Sequence, residues 1–188
     1  MKILRCLYSR TGTTRTLAER CRSELQESGH EVGDAILVPR LDLPYPLWLA
    51  LSFLPGSRVP IRGPLPDPAP FDACLLLLPK WTLSCPPVNA FLASCGRRLP
   101  PTAVAVTCGG WDQDRYVRAL ERRLGALGVG FLGGLAVRKN RVDEDDTRLR
   151  VSAFLARCFP PPPPGVPRRP EVFGTDAANR VSVAHRAP

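Results

Sequence analysis

Histidine is almost missing from this 188-residue chain, which has only His30 and His185. Neither lies near a cysteine cluster, and no Cys-x-x-Cys pair occurs, so the spacing that would hold zinc is absent. The seven cysteines (Cys6, Cys21, Cys74, Cys85, Cys95, Cys108 and Cys158) are scattered. Most fall in apolar patterns and read as small core residues rather than as a disulfide framework. No apolar run reaches 18 residues, so no membrane span is expected. The first residues lack the charged-then-apolar pattern of a secretory leader, and the expected location is the cytoplasm. Lysine is scarce too: Lys2, Lys80 and Lys139 are the only three. The net charge of +9 therefore rests on arginine. No nucleic-acid motif and no interleaving of aromatic with basic residues accompanies it, so the basic balance reads as a solvated arginine-rich surface.

What is present is concentrated near the start. The apolar run Ile3-Leu4-Arg5-Cys6-Leu7 leads into Tyr8-Ser9-Arg10-Thr11-Gly12-Thr13-Thr14. A helical pattern follows, with Leu17, Ala18, Cys21 and Leu25 on one face. A hydroxyl-rich turn thus stands where a strand hands over to a helix. A helix N-terminus offers unpaired N–H groups and the positive end of the helix dipole. An N-cap requires one hydroxyl, whereas this turn has four, and Gly12 permits close backbone approach. The expected ligand is a phosphate. The loop has no Gly-Lys-Ser/Thr and no Gly-x-Gly-x-x-Gly, which excludes the nucleoside triphosphate and dinucleotide fingerprints. Binding through N–H and O–H donors suits a single monophosphate.

Further along, strand and helix patterns alternate about five times. Strands are expected at Ile3 to Tyr8, Glu31 to Val38, Ala73 to Leu78, Ala103 to Thr107 and Val129 to Val137. Helices are expected at about Thr14 to Ser28, from Pro86-Pro87 to Gly96, through Tyr116 to Leu127, and from Asp143 to Cys158. This alternation implies an α/β fold with a parallel sheet between two helical layers. Residues 39–70 are irregular and rich in Pro and Leu, with a short apolar helix expected at Trp48 to Leu54. A segment of this kind covers a cofactor, packs against a second subunit to form a homodimer, or caps the core. The domain is expected to span 1–159. Residues 160–188, which open on a proline run, are expected to form a disordered tail.

Three unusual loops follow predicted strands: Ser9–Thr14, Pro79–Pro87 and Thr107–Asp112. Ligands of parallel sheets collect at the carboxyl ends of strands. The spacing Ser9-x-Thr11-Gly12-x-Thr14 resembles the FMN-phosphate loop of flavodoxins and flavodoxin-like quinone reductases. Pro79-x-Trp81 with Pro86-Pro87 and Phe91 is similar to the second loop of that superfamily, and Thr107-Cys108-Gly109-Gly110 to its third. The likeness covers residues 2 to 158, and the absence of an insertion in the last strand matches the short-chain type. It implies a doubly wound five-stranded sheet of order 2-1-3-4-5 and FMN as cofactor. It further implies that Ser9, Arg10, Thr11, Gly12, Thr13 and Thr14 hold the phosphate. Lys80, Trp81, Thr82, Leu83, Thr107, Cys108, Gly109 and Gly110 would flank the ring, with amides of Thr82, Leu83, Gly109 and Gly110 toward its pyrimidine edge. Trp81 or Trp111 either stacks on the ring or serves as an ordinary core or surface tryptophan. Two features depart from the family: Lys80 replaces an apolar residue, and no glycine follows Trp81.

The functional expectation is an FMN-dependent oxidoreductase, with NADPH or NADH as donor and a quinone or other small acceptor. An electron carrier serving a redox protein is the alternative, and an FMN-less binding module is the alternative of another class. No catalytic acid or base stands out. Cys85 and Cys108 lie beside the loops, where a thiolate would be reactive and a neutral thiol inert.

Overall fold

The computed structural model describes residues 1–161; nearly all of the tail expected at 160–188 lies outside the described residues. Five parallel strands form one sheet: β1 (Lys2–Leu7), β2 (Glu31–Ile36), β3 (Ala73–Pro79), β4 (Thr102–Cys108) and β5 (Phe131–Arg138). Their order is β2-β1-β3-β4-β5, as the resemblance implied. The helices are α1 (Thr13–Glu27), α2 (Tyr45–Ser52), α3 (Pro86–Cys95), α4 (Gln113–Ala126) and α5 (Asp145–Cys158).

Central position explains the composition of the strands. In β3 and β4 nearly every residue is buried, because helices cover both faces. The α1 and α5 side packs Ile3, Leu7, Leu17, Leu25, Leu75, Leu77 and Phe154. The α3 and α4 side packs Leu4, Leu76, Leu78, Phe91, Val104, Leu120 and Leu124.

Some boundaries differ from the sequence expectation. Helix α2 begins at Tyr45 instead of Trp48, because Pro46 in its first turn already has the backbone angle a helix start requires. Helix α5 begins at Asp145 rather than Asp143, after a 3-10 turn at Lys139–Arg141; Asp145 and Asp146 still sit in its first turn, facing the favourable dipole end. Strand β5 begins at Phe131, not Val129, and carries an irregularity: Phe131 pairs with Thr102 but Gly133 with Ala103, so Leu132 is an extra residue. Beside it, Gly134 admits no side chain, because a Cβ there would overlap Val117 of α4.

His30 closes the opposite end of the sheet. It is buried, and its Nε2 lies 3.2 Å from the carbonyl oxygen of Phe159, which ties the start of β2 to the end of α5. Burial holds its pKa below the ordinary value of about 6.5. The unfolded chain therefore binds a proton near that pH that the folded chain refuses. The stability contributed by neutral His30 is present above the unfolded pKa and is lost as the pH falls toward the folded one. Denaturation midpoints measured across that window should fall with acidification, and His30→Gln should remove this part of the pH dependence.

Candidate functional site

Loop 1 leaves β1 at Tyr8 and enters α1 at Thr13 through Gly12, whose φ of +94° an L side chain adopts only under strain. A Cβ at Gly12 would meet nothing within 4 Å, so the position is open on its outer side. Among the described residues no partner receives the N–H groups of Gly12, Thr13 or Thr14. Ser9 Oγ accepts the Arg15 N–H at 3.3 Å, which leaves the Ser9 hydroxyl proton free to donate. Thr11 is exposed and Thr13 half-buried. Thr14 differs from both, because it is buried and its hydroxyl lies 2.7 Å from that of Thr107. This bond joins loop 1 to the end of β4.

A cleft of about 560 Å³ flanks the α1 N-terminus on the side facing α5. Thr11, Gly12, Thr13, Arg15 and Lys139 line it, with Glu19 and Asp143 also present. Arg10 is drawn away to residues 42–45, where its guanidinium lies 5.8 Å from the Tyr45 ring centre and donates to the Leu43 carbonyl at 3.4 Å.

Loop 2 follows β3, and the Lys80 N–H donates to the Thr107 carbonyl at 2.7 Å, so loops 2 and 3 start side by side. Trp81 packs edge-on against buried Trp48 of α2 at 5.3 Å between ring centres, and against Tyr8 at 6.1 Å. The carbonyl of Ser52 accepts the N–H groups of Leu83 at 3.1 Å and Ser84 at 2.9 Å, and its hydroxyl lies 2.7 Å from that of Thr82. Helix α2 thus clamps loop 2 and occupies the Leu83 amide. Sequence reasoning did not find this clamp; Trp48 and Ser52, four residues apart in an apolar run, were its only trace. The Trp48 indole N–H is buried with no acceptor among the described residues.

In loop 3 no partner among the described residues receives the N–H groups of Gly109 or Gly110, nor that of Thr82 in loop 2. A Cβ on Gly109 would meet nothing within 4 Å, whereas one on Gly110 would press on the Arg138 side chain. Trp111 is 73% exposed and carries Lys80 Nζ 4.8 Å from its ring centre. The structure therefore brings together all three loops, with Trp81 turned toward the α2 clamp and Trp111 toward solvent. Cys108 is buried and its thiol donates to Gln113 Oε1 at 3.3 Å.

Burial pushes the Cys85 thiol up to about 12, opposed only by the nearby Val88 N–H. Essentially no thiolate exists there near neutral pH. Native protein treated with iodoacetamide should leave Cys85 unmodified, and peptide mapping would read this directly.

No protein-family model matches the chain. An uncharacterized protein of Archaeoglobus fulgidus is 31% identical over 145 residues, covering 76% of this chain and 90% of that protein. Among solved structures, a putative flavoprotein from Bacteroides uniformis superposes with a TM-score of 0.64 at 17% identity, covering 82% of this chain and 97% of that one. A flavoprotein from Lactobacillus acidophilus, in complex with FMN, gives 0.58 at 19% identity, covering 76% and 97%. Two-electron reduced Megasphaera elsdenii flavodoxin gives 0.54 at 15%, covering 83% and 98%. The structural matches carry the fold and the archaeal protein carries the sequence kinship: the chain has the flavodoxin-like fold and belongs to one family with the Archaeoglobus fulgidus protein.

Proposed function

We propose that the three loops bind FMN and that the protein is an FMN-dependent oxidoreductase, taking electrons from NADPH or NADH and delivering them to a quinone or other small acceptor. The observation that carries this reading is the Thr14–Thr107 bond. It draws loop 1, with its unpartnered helix N–H groups, against the start of loop 3, with its free Gly109 and Gly110 amides. The donor set fits the cofactor at both ends. Ser9, Thr11, Thr13 and the amides of Gly12 and Thr13 hold the phosphate by charge-assisted hydrogen bonds. The amides of Thr82, Gly109 and Gly110 meet the polar edge of the ring. Bound FMN supplies hydride and electron transfer, while the protein positions it and tunes its charge environment. The Lactobacillus acidophilus flavoprotein, crystallised with FMN, supports this choice of cofactor.

With FMN held by these loops, Lys80, which follows β3 at the start of loop 2, and Arg15, in the first turn of α1, would add positive charge to its surroundings and favour reduction by Coulomb attraction. Lys80→Glu should therefore make bound FMN harder to reduce, and a redox titration of both proteins checks the direction.

One observation favours a second reading, a binding module without FMN: α2 engages Trp81 and the Leu83 amide, two groups that would otherwise face a ring. Purified protein separates the two. Yellow protein with flavin absorption bands, or saturable uptake of added FMN, supports the first reading. Absence of both overturns it. Anaerobic bleaching of the bound flavin by NADPH or NADH alone then distinguishes an enzyme from a carrier, which would need a separate reductase.

A further inference from the structure

Helix α2 is apolar on its outward face as well as its inward one. Trp48 and Ser52 face the core, while Leu47, Ala50, Phe53 and Leu54 share the opposite side. Of the eleven large apolar side chains left exposed among the described residues, seven fall within residues 36–54, the segment that leads into and out of α2 (Ile36, Val38, Leu41, Tyr45, Leu47, Phe53 and Leu54), and an eighth, Leu83, lies in loop 2, where its N–H bonds the Ser52 carbonyl. Their exposures run from 45% at Val38 to 60% at Tyr45. A helix apolar all round belongs in a core or against lipid, and an apolar patch of this kind marks an interaction surface.

The charges around the patch identify what it meets. Arg40 and Arg62 lie beside Val38, because residues 38–40 pair with 60–62 through Arg40 N–H to Pro60 O and Arg62 N–H to Val38 O, both 2.7 Å. Arg58 follows the turn that Ser57 Oγ pins to the Leu51 carbonyl at 2.7 Å. All three arginines are exposed and have no ion-pair partner among the described residues. The neighbouring acid, Asp42, is approached by Arg10 at 4.0 Å. Two copies meeting through this patch would add three unpaired arginines from each to the contact against one exposed acid from each, Asp42. Helix α2, with eight residues, is far too short to cross a bilayer. An apolar face with an arginine rim matches the interface of an anionic bilayer, with side chains in the acyl boundary and guanidinium groups at the headgroups.

We infer that this surface, α2 with Ile36, Val38, Leu41 and Leu83 and the Arg40, Arg58 and Arg62 rim, docks the protein on an anionic membrane surface. The full chain should co-sediment with vesicles of phosphatidylglycerol and phosphatidylcholine and far less with phosphatidylcholine alone. Two variants separate this docked state from general attraction of a basic protein. Leu47→Asn/Phe53→Asn leaves every charge in place and should still lose most of the binding. Arg40→Gln/Arg58→Gln/Arg62→Gln should weaken it about a hundredfold, at roughly fivefold for each arginine. Unchanged near-ultraviolet circular dichroism and urea denaturation midpoints in both variants show that the fold is kept. Failure of the full chain to sediment with anionic vesicles overturns the inference, as does undiminished binding of the Leu47→Asn/Phe53→Asn variant. A stable dimer that this variant disperses, seen by analytical ultracentrifugation without vesicle binding, overturns it in favour of a second copy.

Discussion

Replacing Asp34 by alanine should lower the stability of the folded chain by about 3 kcal/mol, the lower end of the cost of stranding a buried charge. Arg5 sits in β1 on the face covered by α1, between Ile3 and Leu7, and is only 2% exposed. Its guanidinium has three partners. Nε donates to Asp34 Oδ1 at 2.6 Å, and Nη1 to the Ala18 carbonyl at 2.8 Å and Glu19 Oε1 at 3.0 Å. Asp34 lies directly opposite Arg5 in the β1–β2 register and also accepts from Arg22 at 2.7 Å. Alanine at 34 removes the best-placed counter-charge while the guanidinium stays buried, although Glu19 and the carbonyl moderate the loss. Arg5→Met removes the charge itself and keeps an unbranched apolar side chain in the same slot, so it should cost much less. The pair of variants carries the argument. Urea denaturation should rank Asp34→Ala well below Arg5→Met, and thermal melting should fall by roughly 6–12 °C for the former. Equal losses would mean that Arg5 contributes through packing alone.

This ion pair also shows why the fold was more legible in the sequence than its supports were. Arg5 interrupts an apolar strand and Asp34 weakens the pattern of the next one. Each looks like a defect within its own element. Only the parallel register, which sets Arg5 against Asp34, turns two defects into one bond, and register is a property of the assembled sheet. The central strands needed no such help: the unbroken Ala73 to Leu78 run reads as doubly covered because it is. The three loops were legible for a similar reason, since each follows a readable strand and its chemistry lies in a few consecutive residues. The clamp of Ser52 on Leu83 and Ser84 was not, because it joins residues some thirty positions apart through backbone groups that every residue carries. The same long-range contact decides how much of loop 2 is left for a ligand, which is why loop 1 carries the sharper test.

On the reading that FMN binds, Ser9→Ala/Thr11→Ala/Thr13→Ala should weaken FMN by a thousandfold or more, since each hydrogen bond to a charged group is worth roughly 1.5–3 kcal/mol. The size of the loss depends on which hydroxyls are free. Ser9 already accepts from the Arg15 N–H but keeps its own proton for a phosphate oxygen, and the hydroxyls of exposed Thr11 and half-buried Thr13 have no partner among the described residues. Thr14 is buried against Thr107, so Thr14→Val acts first on stability, leaving the Thr107 hydroxyl without its partner at a cost of about 1–3 kcal/mol. The triple variant should therefore lose FMN affinity while giving up about 1 kcal/mol of stability through the Ser9–Arg15 bond, which Ser9→Ala alone measures, and Thr14→Val should lose stability first. Riboflavin, which has the ring but no phosphate, isolates the effect. If loop 1 holds the phosphate, the wild-type chain prefers FMN strongly over riboflavin and the triple variant binds the two nearly alike. Fluorescence titrations with both flavins measure this difference. An FMN preference that survives in the triple variant would move the phosphate out of loop 1, whatever the remaining loops bind.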